Sequence, residues 1–287
     1  MKNSILRTAS WLARKTPQPI LRLVYRIPPL AGIIRRTLNK AAPEGLTTVQ
    51  ISGGVLVGCR MELDLQTEKD LWLGTYESEL QNALQSFIKP GDVVYDVGAN
   101  IGYVSVMCAK CTGPEGRVFA FEPLPANQQR FLRSLELNHL ENRVMLVDKA
   151  VGKKSGNTTF WVHASTSMGR LDSVKQEGLQ FEEAISIELV SLDDFIWSHG
   201  EPAPDVIKLD IEGGEVDALP GMSRLLREYR PLLLVEIHGT EAGRFVYDEL
   251  ERAKYDLYWM QTGYPRIENR DALQGKAYVV AKPQEAA

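Results

Sequence analysis

The sequence predicts an α/β protein built on an open sheet, and two observations lead to this prediction. The first is a strand, a glycine turn and a helix in succession. Residues 93–95 form a β-favouring run, Asp96, Gly98 and Gly102 follow it, and residues 103–110 are predicted as a helix. The second is a series of further short apolar runs that each end in an acidic residue. Such a sheet presents backbone N–H groups and a helix N-terminus to a ligand at the turn.

The spacing of the glycines excludes two common nucleotide motifs. The dinucleotide fingerprint needs glycines at 98, 100 and 103, whereas the chain has Gly98, Asn100 and Tyr103, and no Gly-Lys-Ser/Thr of a phosphate-binding loop follows. The remaining pattern, Asp-x-Gly-x-Asn-x-Gly, resembles motif I of the S-adenosylmethionine (SAM) methyltransferases with a Rossmann-like fold. A strand-end carboxylate suits the ammonium and sulfonium groups of SAM, and a glycine lets the backbone approach the ligand closely. The predicted cofactor-binding residues of this turn are Asp96, Gly98, Ala99, Asn100 and Gly102.

The composition is that of an ordinary soluble protein. Of the 287 residues, 44% are hydrophobic and 24% are charged. Three cysteines cannot form a disulfide framework and suit a reducing compartment, so we expect a cytoplasmic protein. Cys108 and Cys111 form a C-x-x-C inside the predicted helix, where buried cysteines are common, and we assign them no metal or redox role.

The charge is unevenly distributed along the chain. Residues 1–43 contain nine Lys and Arg side chains and no acidic ones, which leaves 24 basic and 37 acidic side chains in the remainder. No apolar run of this segment reaches the ~18–20 residues that span a bilayer. We therefore predict that residues 1–45 form a basic helical extension, and three interpretations stay open: a membrane-surface arm, an organelle transit peptide or a solvated helical cap. The acidic body argues against nucleic-acid binding.

Residues 46–90 are predicted to lead into the core. Apolar residues alternate between 49 and 65 around Gly53 and Gly54, which predicts a β-hairpin with its turn at this glycine pair. Residues 68–88 then show helical spacing and predict one helix. The main domain is predicted to cover residues 91–287.

Two further strands predict the remainder of a nucleoside site. Residues 118–121 form a strand that ends at Glu122, which lies 20 residues beyond Gly102, where Rossmann-like sites bind the ribose hydroxyls. Residues 144–147 form the next strand, and Asp148 or its neighbouring backbone is placed to meet the adenine amino group. This adds Glu122, Pro123, Asp148 and Ala150 to the predicted cofactor-binding residues.

The segment from 151 to 190 is less regular. Strands are predicted at 158–163 and 185–190, with a polar loop at 164–183 between them. Loops of this length are often lids or binding elements, so we interpret this loop as a lid on the acceptor side.

Two more strands bring titratable groups to the same edge. Residues 204–209 form a strand that places Lys208 and Asp210 on one side, and Glu212 follows. Asp210 is also one of the predicted cofactor-binding residues. Residues 232–237 form the next strand, which ends in Glu236 and His238. Because an unpaired charge is unfavourable in such apolar surroundings, these residues indicate a neutralised pair or an active site.

The combined motifs resemble the FkbM family of SAM-dependent O-methyltransferases. The resemblance extends over roughly residues 75–240, and it is carried by Gly-Thr-Tyr-Glu (74–77), the motif I stretch (93–102), Phe-Glu-Pro (121–123), Ser-Leu-Asp-Asp-Phe (191–195), Ile-Lys-Leu-Asp-Ile-Glu-Gly-Gly-Glu (207–215) and Val-Glu-Ile-His-Gly (235–239). It implies a Rossmann-like, seven-stranded and mostly parallel sheet with an antiparallel last strand. Residues 255–261 and 277–282 fit the closing pair of that sheet.

The implied reaction is methyl transfer from SAM to an acceptor hydroxyl. Positioning of the oxygen against the sulfonium contributes most, since aligned reactants gain ~7–11 kcal/mol. His238 is the preferred proton acceptor because its unperturbed pKa is near 6.5, with Asp210 or Glu212 next and Lys208 as a further catalytic residue. No metal ligand is assigned, but one alternative remains, in which Asp210, Glu212, Glu236 and His238 hold Mg²⁺.

The acceptor and two other function classes stay open. The family acts on sugars, lipid-linked glycans and polyketides, which implies a sugar, glycolipid or secondary metabolite as the acceptor, and the basic arm favours contact with a membrane. The alternatives are a SAM- or nucleotide-binding module without catalysis, or methylation of another atom type. Asp210-Ile-Glu212-Gly213 stands where amino-methylating enzymes carry Asn/Asp-Pro-Pro-Tyr, which argues against amino groups. The sequence predicts no oligomeric state.

Overall fold

The computed structural model describes residues 42–163, 169–171 and 181–285. Residues 1–41 of the predicted basic extension lie outside the described residues, as do 164–168 and 172–180, which form most of the predicted lid. Within the described ranges, no helix combines the length and apolar character needed to cross a bilayer.

A seven-stranded sheet forms the centre of the molecule. Its order is β12-β13-β11-β10-β3-β4-β5, and the five strands from β11 to β5 run parallel while β13 is antiparallel to both of its neighbours. This confirms the predicted seven-stranded, mostly parallel sheet with an antiparallel last strand. The strands are β3 (Val93–Val97), β4 (Arg117–Phe121), β5 (Val144–Val147), β10 (Val206–Leu209), β11 (Leu232–His238), β12 (Tyr255–Trp259) and β13 (Lys276–Pro283).

The helices complete a layered α/β arrangement around two cores. Successive residues of β3 enter different cores, with Val94 in one and Tyr95 in the other, because side chains alternate across a strand. The helices are α1 (Lys69–Leu73), α2 (Ser78–Phe87), α3 (Tyr103–Thr112), α4 (Pro125–Asn138), α5 (Leu192–Trp197), α6 (Glu215–Ala218), α7 (Ser223–Glu228) and α8 (Thr240–Arg252).

The hairpin before the core differs from its prediction. Strands β1 (Leu46–Gln50) and β2 (Arg60–Asp64) pair in antiparallel register, so the connection covers all of residues 51–59 and the turn is not confined to Gly53 and Gly54. The loop that contains the glycine pair lies against the end of α1, where Ser52 N donates to Trp72 O.

The same contact explains why the predicted helix over residues 68–88 is wrong. The helix breaks at Gly74, whose φ is 72°, and α1 and α2 are separate elements. A Cβ at Gly74 would lie 2.0 Å from Gly53 O, so the approach of the two loops requires glycine here. This segment shares its hydrophobic core with the main sheet, since Ile51 and Leu84 pack in the cluster that contains Met107.

A second sheet of four strands occupies the region predicted as irregular. Its order is β6-β9-β7-β8, formed by β6 (Ala150–Val151), β7 (Gly156–His163), β8 (Gly169–Leu171) and β9 (Phe181–Val190). The predicted loop over residues 164–183 is therefore wrong at residues 169–171 and 181–183, where β8 and the first residues of β9 pair with β7. Pairing with distant strands satisfies the backbone hydrogen bonds of these residues. The local polar sequence does not reveal such pairing.

Candidate active site

A cavity lies at the point where the strand order of the seven-stranded sheet reverses, beside β3. The chain leaves β3 towards β4 on one side and returns through β10 on the other, and ligands of open α/β sheets bind at such switch points. The cavity has a volume of about 370 Å³, which falls in the ~300–1,000 Å³ range of small-molecule sites. Its walls come from the turns after β3, β4 and β10, together with Tyr76 before α2 and Phe160 on β7.

The turn after β3 is shaped by positive backbone φ angles. Gly98 has φ 83° and Asn100 has φ 50°. The N–H groups of Gly98 and Ala99 both donate to Phe121 O, at 3.1 and 3.0 Å, which ties the turn to the end of β4. A Cβ at Gly98 would lie 1.9 Å from Asp210 O, so glycine is required for the approach of this turn to the end of β10. Gly98, Ala99 and Asn100 all line the cavity, as predicted for the cofactor site.

Glu122 places a buried carboxylate in the cavity wall. Its side chain accepts hydrogen bonds from Asn100 N at 2.9 Å, Leu124 N at 2.9 Å and Asn127 Nδ2 at 3.1 Å. Burial raises the pKa of Glu122, and the hydrogen bonds from Leu124, Asn127 and Asn100 oppose this rise. A carboxylate offers about four acceptor positions, so it retains capacity for a ligand hydroxyl. Pro123 lines the cavity next to it.

Three residues predicted to bind the cofactor do not line the cavity. Asp148 is exposed beyond the end of β5, and Ala150 lines the cavity in its place. Gly102 is buried at the start of α3 against Phe131. Asp96 is fully buried beneath the turn, where Ser105 Oγ donates to its Oδ2 at 2.5 Å. The cavity lining therefore does not include Asp96, Gly102 or Asp148, and their contact with a cofactor stays a prediction.

Lys208 connects Asp96 to the cavity. The two residues face each other in the parallel register of β10 and β3, and Lys208 Nζ lies 3.2 Å from Asp96 Oδ1 and 3.6 Å from Asp210 Oδ2. Nζ also donates to Gly98 O at 2.8 Å. Burial lowers the pKa of Lys208, but Asp96 and Asp210 outweigh burial and raise this pKa above its usual range. Lys208 thus remains a cation that braces the glycine turn, and it does not fit a role in moving protons.

A carboxylate–histidine cluster lies beside the cavity. His238 Nε2 is 3.0 Å from Glu236 Oε1, 3.6 Å from Glu212 Oε2 and 3.9 Å from Asp210 Oδ1. Its Nδ1 is 3.3 Å from Glu215 Oε1. The ends of β10 and β11 therefore bring together Asp210, Glu212, Glu236 and His238, as the sequence predicted. Asp210 and Glu212 also line the cavity.

The electrostatics of this cluster contradict the reason for choosing His238 as the base. Burial lowers the pKa of His238, but the carboxylates of Glu215 and Glu236 outweigh burial and raise it to about 10. Without a bound metal ion, His238 is therefore protonated at neutral pH and cannot accept a second proton. The pKa of Asp210 moves above its usual range because burial and Glu236 outweigh the nearby Lys208 and His238, which favours proton uptake by this carboxylate.

The sequence alone assigned no role to four side chains of this region, namely Tyr76, Glu77, Glu215 and Lys276. Glu77 has a φ of 40°, and burial and Glu236 raise its pKa to about 7 against the opposing hydrogen bond from Tyr76. Glu215 is fully buried at the start of α6, and Lys276 contacts Glu236 from β13. Lys276 pairs with His238 in the antiparallel register of β13 and β11, a long-range contact that local patterns do not reveal. The available signals were the Gly-Thr-Tyr-Glu motif, which contains Tyr76 and Glu77, and the motif over residues 207–215, which ends at Glu215.

Three groups of the cluster lie close enough to hold one metal ion. One ligand atom each from Asp210, Glu236 and His238 lies within 4.8 Å of the other two. These residues belong to the set that the magnesium alternative named.

The fold and the site are those of a SAM-dependent methyltransferase, with a glycine turn after β3 and a buried carboxylate after β4. The Methyltransferase FkbM domain matches residues 96–257, and the chain belongs to this family. SAM is therefore its cofactor.

The chain is similar to two methyltransferases of known name and to one solved structure. The chain is 29% identical to hexuronic acid methyltransferase AglP of Haloferax volcanii over 62% of its length and 69% of the relative. It is 31% identical to 31-O-demethyl-FK506 methyltransferase FkbM of Streptomyces tacrolimicus, over 54% of this chain and 68% of that one. A solved methyltransferase FkbM from Methylobacillus flagellatus aligns with a TM-score of 0.42 at 17% identity, over 89% of this chain and 60% of that one.

Proposed function

We propose that the protein is an O-methyltransferase that transfers the methyl group of SAM to a hydroxyl group of a sugar, a glycolipid or a secondary metabolite. The observation that carries this proposal is the polarity of the cavity. Its lining contains the buried Glu122 carboxylate, which suits ribose hydroxyls, and also Asp210 and Glu212, which lie beside His238.

The cavity residues fit SAM along its length. The backbone of Gly98 to Asn100 would hold the methionine part, Glu122 would accept from the ribose hydroxyls, and Pro123 and Ala150 would contact the adenine. Asp210 provides the negative charge that a cationic ligand needs, and Asp96 supports it indirectly through Lys208. When bound, SAM supplies a methyl group whose C–S electron pair returns to sulfur as the new O–C bond forms.

The acceptor hydroxyl must lose its proton in this reaction. Asp210 and Glu212 are the carboxylates that border both the cavity and His238, and we assign proton acceptance to this pair. His238 Nε2 lies 3.9 Å from Asp210 and 3.6 Å from Glu212, and His238 helps to position the two carboxylates. Lys208 positions Asp210 relative to the glycine turn.

The names of the relatives support an oxygen acceptor. They include a hexuronic acid methyltransferase, a 31-O-demethyl-FK506 methyltransferase and 2-O-methyltransferase NoeI of Sinorhizobium fredii, which is 27% identical over 50% of this chain and 62% of the relative. A binding module without catalysis does not need a further acidic group such as Glu212, beside His238, in the cavity wall. Methylation of nitrogen is disfavoured because Asp210, which lines the cavity, is followed by Ile211 and Glu212 instead of a proline pair.

Calorimetry with SAM, followed by a screen of hydroxylated acceptors with labelled methyl groups, tests the proposal. We expect Glu122→Ala to weaken SAM binding about 10–100-fold, because it removes a charged hydrogen-bond acceptor. We expect Asp210→Asn to lower the rate of methyl transfer. Glu115→Ala, at an exposed position before β4, is the control and should change neither. SAM binding without transfer to any hydroxyl would favour the binding module, and labelled methyl on nitrogen would contradict O-methylation.

Residues 1–43 are proposed to contact a membrane surface. Nine basic side chains without an acidic one would be attracted to anionic lipids at ~1 kcal/mol per residue near the surface. Deleting this segment should weaken binding to anionic liposomes and leave SAM affinity unchanged. Unchanged liposome binding would contradict the membrane contact.

A further inference from the structure

We propose that Asp210, Glu236 and His238 form a binding site for a divalent cation of the Mn²⁺ class. The site itself is inferred from the geometry of these three side chains. Its role in orienting the acceptor hydroxyl rests on the proposed function.

The three residues converge because two neighbouring strands end here. Glu236 and His238 lie two positions apart on β11 and point to the same side, and Asp210 follows directly after the adjacent strand β10. One atom from each lies within 4.8 Å of the others, a separation that one coordinated ion can bridge. Two carboxylates and one imidazole suit Mn²⁺ better than Mg²⁺, which prefers oxygen ligands, or Zn²⁺, which favours tetrahedral nitrogen and sulfur sets.

Glu215 orients the histidine as a metal ligand. Histidines that bind metals usually donate their second ring N–H to a carboxylate, which fixes the tautomer and the ring orientation. His238 Nδ1 lies 3.3 Å from Glu215 Oε1, and Glu215 is fully buried at the start of α6. The same Oε1 also accepts from Gly213 N at 3.1 Å, so its position is constrained. This arrangement leaves Nε2 directed towards Glu236 and Asp210.

Two of the three proposed ligands each have a buried atom without a hydrogen-bond partner among the described residues. They are His238 Nε2 and Glu236 Oε2. Nε2 lies 3.0 Å from Glu236 Oε1, but the pair does not have hydrogen-bond geometry. Glu236 is 6% exposed, and a buried polar atom without a partner is unfavourable. A cation between these atoms would satisfy both of them.

A lysine also lies next to each of the two carboxylate ligands, and such outer contacts orient metal ligands. Lys276 contacts Oε1 of Glu236 and leaves Oε2 available, and Lys208 lies 3.6 Å from Asp210 Oδ2 while Oδ1 faces His238. Asp210 also lines the cavity. A cation bound by Asp210 would therefore border the cavity. With three protein ligands it would keep coordination positions for an acceptor hydroxyl.

Titration of the EDTA-treated full-length protein with Mn²⁺, followed by electron paramagnetic resonance of the free ion, tests the site. We expect one saturable equivalent per chain, competed by Mg²⁺ only at higher concentration. An absence of saturable binding to the unmutated protein would overturn the proposal. In that case the cluster is an ion-pair network around a protonated histidine.

Variants locate the bound ion. Glu236→Gln and His238→Ala should each lower Mn²⁺ affinity at least about 10-fold, and Glu215→Gln should lower it about 10–100-fold through the orientation of His238. Glu241→Gln, on an exposed carboxylate at the start of α8, is the matched control and should bind Mn²⁺ normally. Mn²⁺ binding that persists in both Glu236→Gln and His238→Ala would place the ion elsewhere and overturn the proposal.

SAM binding in EDTA separates this inference from the proposed function. Protein that binds SAM and transfers methyl groups in EDTA but does not bind Mn²⁺ contradicts the cation site alone. Protein that binds Mn²⁺ but neither binds SAM nor methylates a hydroxyl contradicts the proposed function alone. Circular dichroism of each variant shows whether a lost affinity reflects an unfolded chain.

Discussion

Glu77 is held in a form that opposes its own charge. Its φ of 40° is unusual for a residue with a side chain, and one of its carboxylate oxygens is buried without a hydrogen-bond partner among the described residues. Burial and the charge of Glu236 raise its pKa from 4.5 to about 7 despite the opposing hydrogen bond from Tyr76. The folded protein therefore binds this proton more tightly than the unfolded chain does. The protein pays for this at high pH, where the carboxylate must ionise inside the fold.

Glu77→Gln is expected to stabilise the metal-free protein at pH 8 and to change little at pH 5. A group with a raised folded pKa supports folding fully below its unfolded pKa of about 4.5, and this support is lost as the pH rises towards about 7. The difference is on the order of 3 kcal/mol, at ~1.36 kcal/mol per pKa unit. Urea unfolding in EDTA at both pH values measures it. The neighbouring exposed Glu79→Gln is the control, and an equal effect of Glu77→Gln at both pH values would contradict the assignment.

At the scale of elements, the turn between β3 and α3 depends on its contact with the end of β10. Gly98 and Gly113 both have positive φ angles, of 83° and 66°, so alanine is strained at either position. Only at Gly98 would the added Cβ meet a backbone atom, Asp210 O at 1.9 Å, whereas nothing lies within 4 Å of the equivalent position at Gly113. The two glycines thus separate backbone strain from a clash between elements.

Gly113→Ala is expected to destabilise the protein by about 1–3 kcal/mol, the usual strain of a side chain in this glycine-favoured backbone region, and to leave SAM binding unchanged. Gly98→Ala should destabilise it by several kcal/mol and weaken SAM binding, because the turn and the β10 loop must separate. Chemical unfolding and calorimetry measure the two effects. Equal destabilisation by both substitutions would show that the approach of Gly98 to Asp210 contributes nothing beyond backbone strain.

The elements that the sequence predicted well are those defined by local patterns. The apolar runs of β3, β4 and β10 each end at a glycine or a charged residue, and this places Glu122 and Asp210 at one edge once the strands are parallel. Elements defined by distant contacts were missed. The break at Gly74 depends on its approach to Gly53, and the pairing of β8 with β7 crosses a polar segment.

The same distinction holds for the site. The positions of Asp210, Glu212, Glu236 and His238 followed from strand ends, but the protonation of His238 did not. Its pKa depends on Glu215, a carboxylate that α6 brings to Nδ1 from another element. A reference pKa of ~6.5 describes an isolated side chain, so the sequence could name the residue but could not assign its charge.

At the scale of the whole molecule, the cavity joins both flanks of the switch point. Its walls include the β3–α3 turn and the residues after β4 on one flank, and the loop after β10 on the other, while β12 at the far edge contributes none of the residues that line it. A ligand in this cavity must therefore stabilise two parts of the sheet that are distant in the chain.

We expect saturating SAM to slow amide hydrogen exchange in residues 97–101, 121–124 and 209–214 and to leave residues 255–270 nearly unchanged. Hydrogen-exchange mass spectrometry measures this, with the Glu122→Ala protein at the same SAM concentration as the control. Protection on one flank alone would contradict a SAM site that spans the switch point, because a ligand contacting both Glu122 and Asp210 cannot order one loop without the other.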